Sequence, residues 1–567
     1  MAYGADSSRF HENKRAVEDK YLGALVKTSM NRCIQCTRCV RFATEVAGVP
    51  ELGAVGRGED LEITSYLERA LTSELQANVI DLCPVGALTA KPIAFHARPW
   101  EFSHTESVDV MDALGSAIRV DSRGREVVRV LPRTNEAINE EWISDKTRFV
   151  VDGLKVQRLD RPYVRIGGKL TPSSWSQAFA AIVGRVKTTS PARIGAVVGD
   201  LAAVEEMFAL KGLMAKLGSP HIDCRQDGSK LHPRFGRASY LFNSTIAAIE
   251  QADAIFIIGS DPRREAPVLN ARIRKRWLKG GVRIGLVGER ADLTYVYEHL
   301  GAGPESVAAL ADRPPAGLAR PMFIAGAAAF ARPDGAGVMA RLARAALATG
   351  AVKDGWNGFN VLHAAASRVG GLDLGLAPGE AALDAAAMAK SGALDVLFNL
   401  GADEIDIEPG AFVVYIGTHG DRGAHRADVI LPGAAYTEKT GIYVNTEGRP
   451  QFAERAGAVF PPGDAREDWS ILRALSDPLG AKLPYDSLTQ LRATLAAAYP
   501  HLVRFDQVVR ADPSTVTAAA ALGGAVDKAP FGVAVQDFYL TNPIARASRV
   551  MAECSALARG LKLEAAE

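Results

Sequence analysis
In NRCIQCTRCVRF, residues 31–42, three cysteines recur at a strict spacing of three: Cys33, Cys36 and Cys39. Thiolates spaced in this way can take three corners of one metal centre from a single loop, but a cluster or a zinc ion takes four ligands. The next cysteine is Cys83, in IDLCPVGAL (80–88), with 43 residues between it and Cys39. A C-x2-C-x2-C triplet closed by a remote Cys-Pro is the pattern of a ferredoxin-type [4Fe–4S] site. Pro84 removes a backbone donor and turns the chain away, and Gly86 lets the backbone come close to inorganic sulfide. Zinc is the rival occupant, although zinc sites usually use two separated pairs of ligands rather than a triplet and a single. Four structural thiols without a metal are the third reading. Arg32, Arg38 and Arg41 flank the triplet, either raising the potential of an anionic centre or forming a solvated basic face. No substrate-binding constellation lies nearby in sequence, so the site reads as an electron relay and not as a catalyst.

The elements that must position these ligands fall into four stretches: a cluster-binding domain over 1–97, a small β-rich domain over 98–155, a larger α/β region over 156–480 and a C-terminal region over 481–567. SAIRVDSRGREVVRVLPR alternates apolar and polar residues around a turn at Ser122–Gly124, as a hairpin does. From about 160 the pattern becomes alternating strand and helix. RIGAVVGD, ADAIFIIGSDP, VRIGLVGE, PMFIAGAA, DVLFNLGAD and AFVVYIGTHG are apolar strands ending in glycine-containing turns. AVEEMFALKGLMAKLGS (203–219) is an amphipathic helix ending at Gly218, and PVLNARIRKRWLKG is another. This alternation predicts α/β architecture with doubly wound parallel sheets and crevices at the strand carboxyl ends. No full G-x-G-x-x-G is present, so a dinucleotide site is weakly supported. Lys275, Arg276 and Lys279 read as a solvated helix face, with a subunit contact as the alternative. A final helix starts at Thr541–Asn542, before Pro543.

Composition sets the class. The chain has 567 residues, 48% hydrophobic and 23% charged, with a formal net charge of +1. A sizeable core is available, and a basic surface for nucleic acid or an anionic membrane is not. The longest apolar run, Pro321–Ala331, is too short to span a bilayer, and no signal or transit peptide opens the chain. Six cysteines, four of them in motif positions, point to a reducing compartment rather than a disulfide scaffold.

Several motifs together resemble the large (G-type) iron–sulfur subunit of respiratory complex I, the NADH–quinone oxidoreductase. They are SRFHENKRAVEDKYLGALVKTSMNRCIQCTRCVRFATEVAGV, GRGEDLEI, DLCPVGALTAKPIAFHARPWE, ESVDVMDALGS, EEWISDKTRF, IGSDPRREAPVLNARIRK, GIYVNTEGRPQ and FYLTNPIARASRVMAEC. The resemblance implies that Cys33, Cys36, Cys39 and Cys83 ligate one [4Fe–4S] cluster. It implies an electron-transfer subunit that relays electrons from NADH and flavin toward quinone and scaffolds the peripheral arm, without catalysing the reaction in isolation. The implied partners are the flavin- and NADH-binding subunit and the quinone-proximal iron–sulfur subunits, with no nucleic acid and no membrane span. The implied location is the cytoplasmic side of a bacterial inner membrane, or the matrix side in a mitochondrion. Full-length relatives first carry a [2Fe–2S] domain and then a second [4Fe–4S] segment with one His and three Cys ligands. This chain starts after those ligands, His11 matches none of them and reads as a surface residue, and one cluster is expected in the chain as given. Some relatives hold a further cluster in the small β-rich domain; no cysteine lies between 84 and 223 here, and Val108 and Met111 are expected to pack in its place.

The α/β region resembles molybdopterin oxidoreductases, and a formate dehydrogenase-like enzyme is the alternative function. In HIDCRQDGSKLHPRFG (221–236), Leu231 stands at the metal-ligand position, just before His232 and Pro233, so no molybdenum is expected. Cys224 reads as a buried structural thiol. Asn445, Glu447 and Arg449 read as fold-holding polar contacts.

Overall fold
The computed structural model describes residues 4–5, 7–11 and 15–560. Two parallel sheets organise the α/β region. In the first, the parallel strands run in the order His221–Asp223, Ile194–Val198, Val396–Leu400, Phe412–Gly417 and Val429–Pro432. An antiparallel hairpin, Tyr163–Ile166 with Lys169–Pro172, extends the last edge. In the second sheet, Glu298–Gly301, Arg283–Val287, Ala254–Ile258, Pro321–Ala325 and Phe359–Val361 are all parallel. Taken in chain order these are 2-1-3-4-5 and 3-2-1-4-5 arrangements, so both sheets are doubly wound and each opens a crevice at its switch point. The central strands Ile194–Val198, Ala254–Ile258, Pro321–Ala325 and Val396–Leu400 are buried at every position. Helices cover both faces, which is why these strands read as continuous apolar runs.

The helix Val204–Leu217 starts where the Glu206 carboxylate accepts the Ala203 amide at 3.0 Å. It stops at Gly218, whose φ of 74° supplies the left-handed cap. The helix Pro267–Leu278 and the residue after it carry the basic trio into contacts within the chain. Lys275 pairs with Glu140 and with Glu250 (3.0 Å), Lys279 pairs with Glu250 (2.8 Å), and Arg276 Nε donates to the Ala252 carbonyl (2.7 Å). Lys279 is exposed and Lys275 and Arg276 are half-buried, so this is a solvated face whose cations also clamp the helix to neighbouring segments.

The small β-rich unit is a three-stranded antiparallel sheet, Ser103–Val108, Ala117–Arg123 and Glu126–Pro132. Its turn sits at Gly124–Arg125, one residue beyond the expected position, because Gly124 takes the left-handed φ of 61° that closes it. The N-terminal segment holds two short antiparallel pairs, Val26–Thr28 with Leu88–Ala90 and Leu52–Val55 with Glu62–Ser65. The C-terminal helices Pro543–Ala547 and Arg549–Ala558 return to the middle of the molecule. There Lys146 Nζ donates to Thr541 Oγ1 (2.9 Å), and Arg546 pairs with Glu404 (2.7 Å) and Asp421 (2.5 Å). Asn542 caps the first of them by accepting the Ala545 amide (2.9 Å).

Candidate metal centre
The cysteine triplet is held by a loop that cannot take an ordinary conformation. A 3₁₀ turn, Met30–Arg32, delivers Cys33, whose amide donates to the Met30 carbonyl (3.0 Å). The turn is pinned from outside: Asp19 accepts the Met30 amide and Asn31 accepts the Val17 amide, both at 2.7 Å. Gln35 and Thr37 then adopt φ of 51° and 59°, left-handed values that non-glycine residues rarely take and that constrained sites keep. This curls the backbone so that the Gln35 amide donates to Cys33 Sγ at 3.4 Å. Cys39 lies in the short helix Arg38–Arg41, and the Val40 amide favours its thiolate by hydrogen bonding.

The fourth thiol comes from a second segment. The helix Asn78–Leu82 ends at Cys83, whose amide still closes on the Val79 carbonyl (3.1 Å). Pro84 follows, Gly86 turns at φ 66°, and the Leu88 amide donates to Cys83 Sγ at 3.4 Å. Buried Asn78 anchors this helix to the β-rich unit by donating to the Leu75 and Ile143 carbonyls (2.8 and 2.9 Å). Arg148 ties Asp81 to the same unit at 2.5 Å.

The structure sets Cys33, Cys36 and Cys83 near enough to Cys39 for their charges to act on it. The Cys39 thiol is pushed up to about 11, first by burial and then by the charges of Cys33, Cys36 and Cys83. Four such thiols repel one another as thiolates, so a cationic centre is what makes the set stable. Among the described residues, no group of three or more His, Cys, Asp or Glu side chains is arranged to hold a single metal ion. A cubane, with an iron at each of four corners, spreads its thiolates wider than one ion does. Amides directed at sulfur are likewise the contacts that tune iron–sulfur centres. Four thiols, two of them receiving backbone amides, are the kind of donor set that a [4Fe–4S] cluster uses. Cys36 is exposed while the other three are half-buried, which leaves one edge of the site near the surface. Arg32, Arg38 and Arg41 are all exposed, and Arg41 is paired with Glu45 at 3.1 Å. Gln35, Val40 and Leu88, the amide donors, carried no sequence signal because backbone groups act there, not side chains.

Nothing comparable forms in the β-rich unit. Val108, Met111, Leu114 and Ile143 are buried there, as packing residues. Sequence reading passed over Asp109, Asp112 and Lys146 beside them, all three buried. Asp109 accepts from Thr147 Oγ1 (2.7 Å) and is pushed up to about 7 by burial and by the charge of Asp112. Burial pushes the Lys146 ammonium down.

A cavity of about 710 Å³ opens at the carboxyl ends of both parallel sheets, lined among others by Asp200, Leu231, Glu265, Arg368, Glu404 and Arg546. Leu231 is 2% exposed and has no atom that ligates a metal. Burial pushes Glu265 and Glu404 up to about 7. Arg368 is committed to Asp227 (2.9 and 3.0 Å) and Arg546 to Glu404 and Asp421, so these arginines are not free for phosphates. The residues present do not fit a molybdopterin centre. Cys224 is fully buried, its thiol pushed up to about 12 by that burial. Asn445 donates to the Leu114 carbonyl (3.1 Å), and Glu447 accepts from the Ile246 amide (2.9 Å) and from Arg449 Nε (2.6 Å). These are contacts that hold the fold, as expected. His11 is exposed.

Residues 23–89 match the ferredoxin-like domain of NADH-quinone oxidoreductase subunit 3, and 102–152 match the NADH-ubiquinone oxidoreductase NDSU1/NuoG-like 4Fe-4S domain. Residues 158–478 match molybdopterin oxidoreductase, and 507–554 match the C-terminal region of the G-type subunit of NADH-ubiquinone oxidoreductase. The chain is 47% identical to the mitochondrial NADH-ubiquinone oxidoreductase 78 kDa subunit of Neurospora crassa, over 98% of this chain and 76% of that one. It is 48% identical to the mitochondrial NADH dehydrogenase [ubiquinone] iron-sulfur protein 1 of Solanum tuberosum, over 98% of this chain and 75% of that one. It is 45% identical to the G-type NADH-quinone oxidoreductase subunit of Rickettsia felis, over 97% of this chain and 81% of that one. Among solved structures, acetylene hydratase from Pelobacter acetylenicus aligns over 66% of this chain and 69% of its own with a TM-score of 0.46 and 11% identity. With relatives this similar over nearly its whole length, the chain belongs to the NuoG-like family, the large iron–sulfur subunits of NADH–quinone oxidoreductase.

Proposed function
We propose that this chain is the electron-transfer subunit of an NADH–quinone oxidoreductase, carrying one [4Fe–4S] relay on Cys33, Cys36, Cys39 and Cys83. The observation that carries the reading is the convergence of a three-cysteine loop and a remote Cys-Pro turn, with backbone amides directed at Cys33 and Cys83. When bound, the cluster supplies one-electron storage and release at a potential set by its surroundings. The chain's residues do the rest. Gln35 and Leu88 place N–H dipoles on the ligand sulfurs, Pro84 and Gly86 keep the second segment close, and the Asn78 anchor holds Cys83 at a set distance from the triplet. Catalysis of NADH oxidation and quinone reduction belongs to the assembly.

Residues 102–152 carry no cysteine, so this reading assigns them no thiolate-held cluster although the family they match includes one. The same proposal divides the chain at about 97, 155 and 480 and treats the α/β region as scaffold without molybdenum. It places the chain beside the flavin-bearing and quinone-proximal subunits of a membrane-bound assembly. Among the described residues no helix is long and apolar enough to cross a membrane, which is compatible with a peripheral position. Anaerobic purification followed by iron, sulfide, zinc and molybdenum analysis tests the reading. About four irons and four sulfides per chain are expected for one cubane, lost in Cys83→Ser. Zinc without sulfide would overturn it.

A further inference from the structure
Directly after the Cys83 turn, the chain runs out along the surface as KPIAFHARPWE (91–101). Phe95 is 72% exposed and Trp100 80%, and Tyr21 beside them is 47% exposed. Each ring carries a cation. Lys27 Nζ lies 4.8 Å from the Phe95 centroid, Lys91 Nζ 5.9 Å from that of Tyr21, and the Arg98 guanidinium 6.0 Å from that of Trp100. Phe95 also holds a φ of 69°, a backbone cost that a merely solvated loop has no need to keep.

The charges do not cancel. Glu101 is taken by Arg123 (3.3 Å) and Glu126 by Lys155 (2.7 Å), while Lys27, Lys91 and Arg98 have no carboxylate partner among the described residues. A surface of Trp, Tyr, Phe and Arg side chains is what the centre of a protein interface is made of, and unpaired cations over its rings select a carboxylate-rich partner. Large exposed aromatic patches on a free surface are otherwise unfavourable. The patch also adjoins the metal centre: Lys27 pairs across the sheet with Thr89, and the neighbouring Leu88 is the residue whose amide reaches Cys83 Sγ.

We propose that Tyr21, Lys27, Lys91, Phe95, Arg98 and Trp100 form the docking surface for another protein subunit whose contact face is rich in Asp and Glu. This rests on the reading of the chain as one subunit of a larger oxidoreductase. Through the Lys27–Thr89 pairing and Leu88, that subunit would dock beside Cys83. Aromatic rings supply the apolar centre of the interface, and the cations above them set orientation and suppress partners of like charge.

The test uses the intact assembly purified from its host. Zero-length carbodiimide coupling joins lysines only to carboxylates in direct contact, so cross-links from Lys27 or Lys91 to Asp or Glu of a different subunit are expected. Brief acetylation is expected to label both lysines in the free chain and to spare them in the assembly. Trp100→Ala and the double substitution Lys27→Glu/Arg98→Glu should each weaken retention of the chain in the assembly about tenfold or more, the cost of losing an interface anchor. The charge reversal should lose its effect at high salt, whereas Trp100→Ala should not. Full acetylation of both lysines in the assembly would overturn the proposal, and so would cross-links solely to a second copy of this chain. Iron and sulfide content, measured on the same samples, separates the two failures. One cubane per chain with unprotected lysines sinks the docking surface and leaves the relay standing; absence of iron sinks the relay whatever the labelling shows.

Discussion

Asn78→Ala should loosen the metal centre without touching a ligand. Asn78 is 1% exposed and stands in the helix that delivers Cys83. Its side-chain amide donates to Leu75 and Ile143 carbonyls at 2.8 and 2.9 Å, and its oxygen accepts the Ile143 amide at 3.3 Å. The Leu75 carbonyl keeps the Asn78 backbone amide (3.1 Å), so truncation leaves two buried backbone groups, the Ile143 N–H and C=O, without this partner. At about 1 kcal/mol each, the low end for an unsatisfied buried group, the loss is about 2 kcal/mol. It falls on the contact that fixes the Cys83 segment to the β-rich unit, so it raises the population of a locally opened state in which Cys83 swings away from the triplet. Two kcal/mol corresponds to roughly thirtyfold in that population. The assay is the rate at which a strong iron chelator bleaches the anaerobically purified protein, under conditions where reclosing is faster than capture, so that the rate tracks the opening equilibrium. Asn360→Ala is the control. Asn360 is equally buried and accepts from Ser244 N and Oγ (2.9 and 3.0 Å), but it lies in the five-stranded parallel sheet. It should cost global stability and leave iron release unchanged. An Asn78→Ala rate within about threefold of the parent, or an equal effect of Asn360→Ala, would refute the idea that this anchor holds the fourth ligand.

Three further substitutions probe other parts of the argument. Gly86→Ala places a side chain at φ 66° with no clash nearer than Arg32 Nη1 at 3.8 Å, so the cost is conformational, about 1 kcal/mol, and iron per chain after aerobic purification should fall while the melting temperature of the α/β region holds. Lys439 lies buried between Glu206 and Asp468 (3.1 Å to the latter), and Lys439→Met strands two buried carboxylates; a loss of about 3–5 kcal/mol is expected by chemical denaturation, partly restored by adding Glu206→Gln. Glu265 is held by burial at about 7 against an ordinary 4.5, so the folded chain binds its proton more tightly than the unfolded one. Its contribution is fully present below about pH 4.5 and is lost as pH rises through 7; the melting temperature should fall between pH 5 and 8, and Glu265→Gln should shrink that fall.

The parallel strands were legible because burial on both faces leaves an unbroken apolar run, as in Ala254–Ile258 and Val396–Leu400. His221–Asp223 and Phe359–Val361 were not, since three residues are too few to show a period, and the edge hairpin at 163–172 is only half-buried. The four cysteines stand out in the sequence by their spacing, and the structure sets Cys33, Cys36 and Cys83 near enough to Cys39 for their charges to act on it. What holds them in place was not legible in the sequence. Asn78 meets Ile143 and Lys275 meets Glu140 across 65 and 135 residues, and neither helical nor strand periodicity carries information over such separations. The acidic partners of Lys275 and Lys279, Glu140 and Glu250, likewise belong to other elements and could not be read from the helix alone.

Residues 102–152 match a 4Fe-4S domain yet contain no cysteine, and the structure shows how their side chains pack. The stretch forms its three-stranded sheet with Val108, Met111, Leu114 and Ile143 buried. Asp109 accepts the Met111 amide (3.0 Å) and Asp112 the Leu114 amide (2.8 Å), so side chains satisfy the backbone of this loop. Asp109 and Asp112 are balanced by the field of Lys146 and by the Thr147 hydroxyl, at the desolvation cost that pushes Asp109 up to about 7. Of the two remaining thiols, Cys224 is enclosed among core side chains and Cys554 is buried in the last helix, each without a second cysteine beside it in sequence. Both are held protonated by burial. Cys39, by contrast, feels the charges of Cys33, Cys36 and Cys83, and none of these four is fully buried.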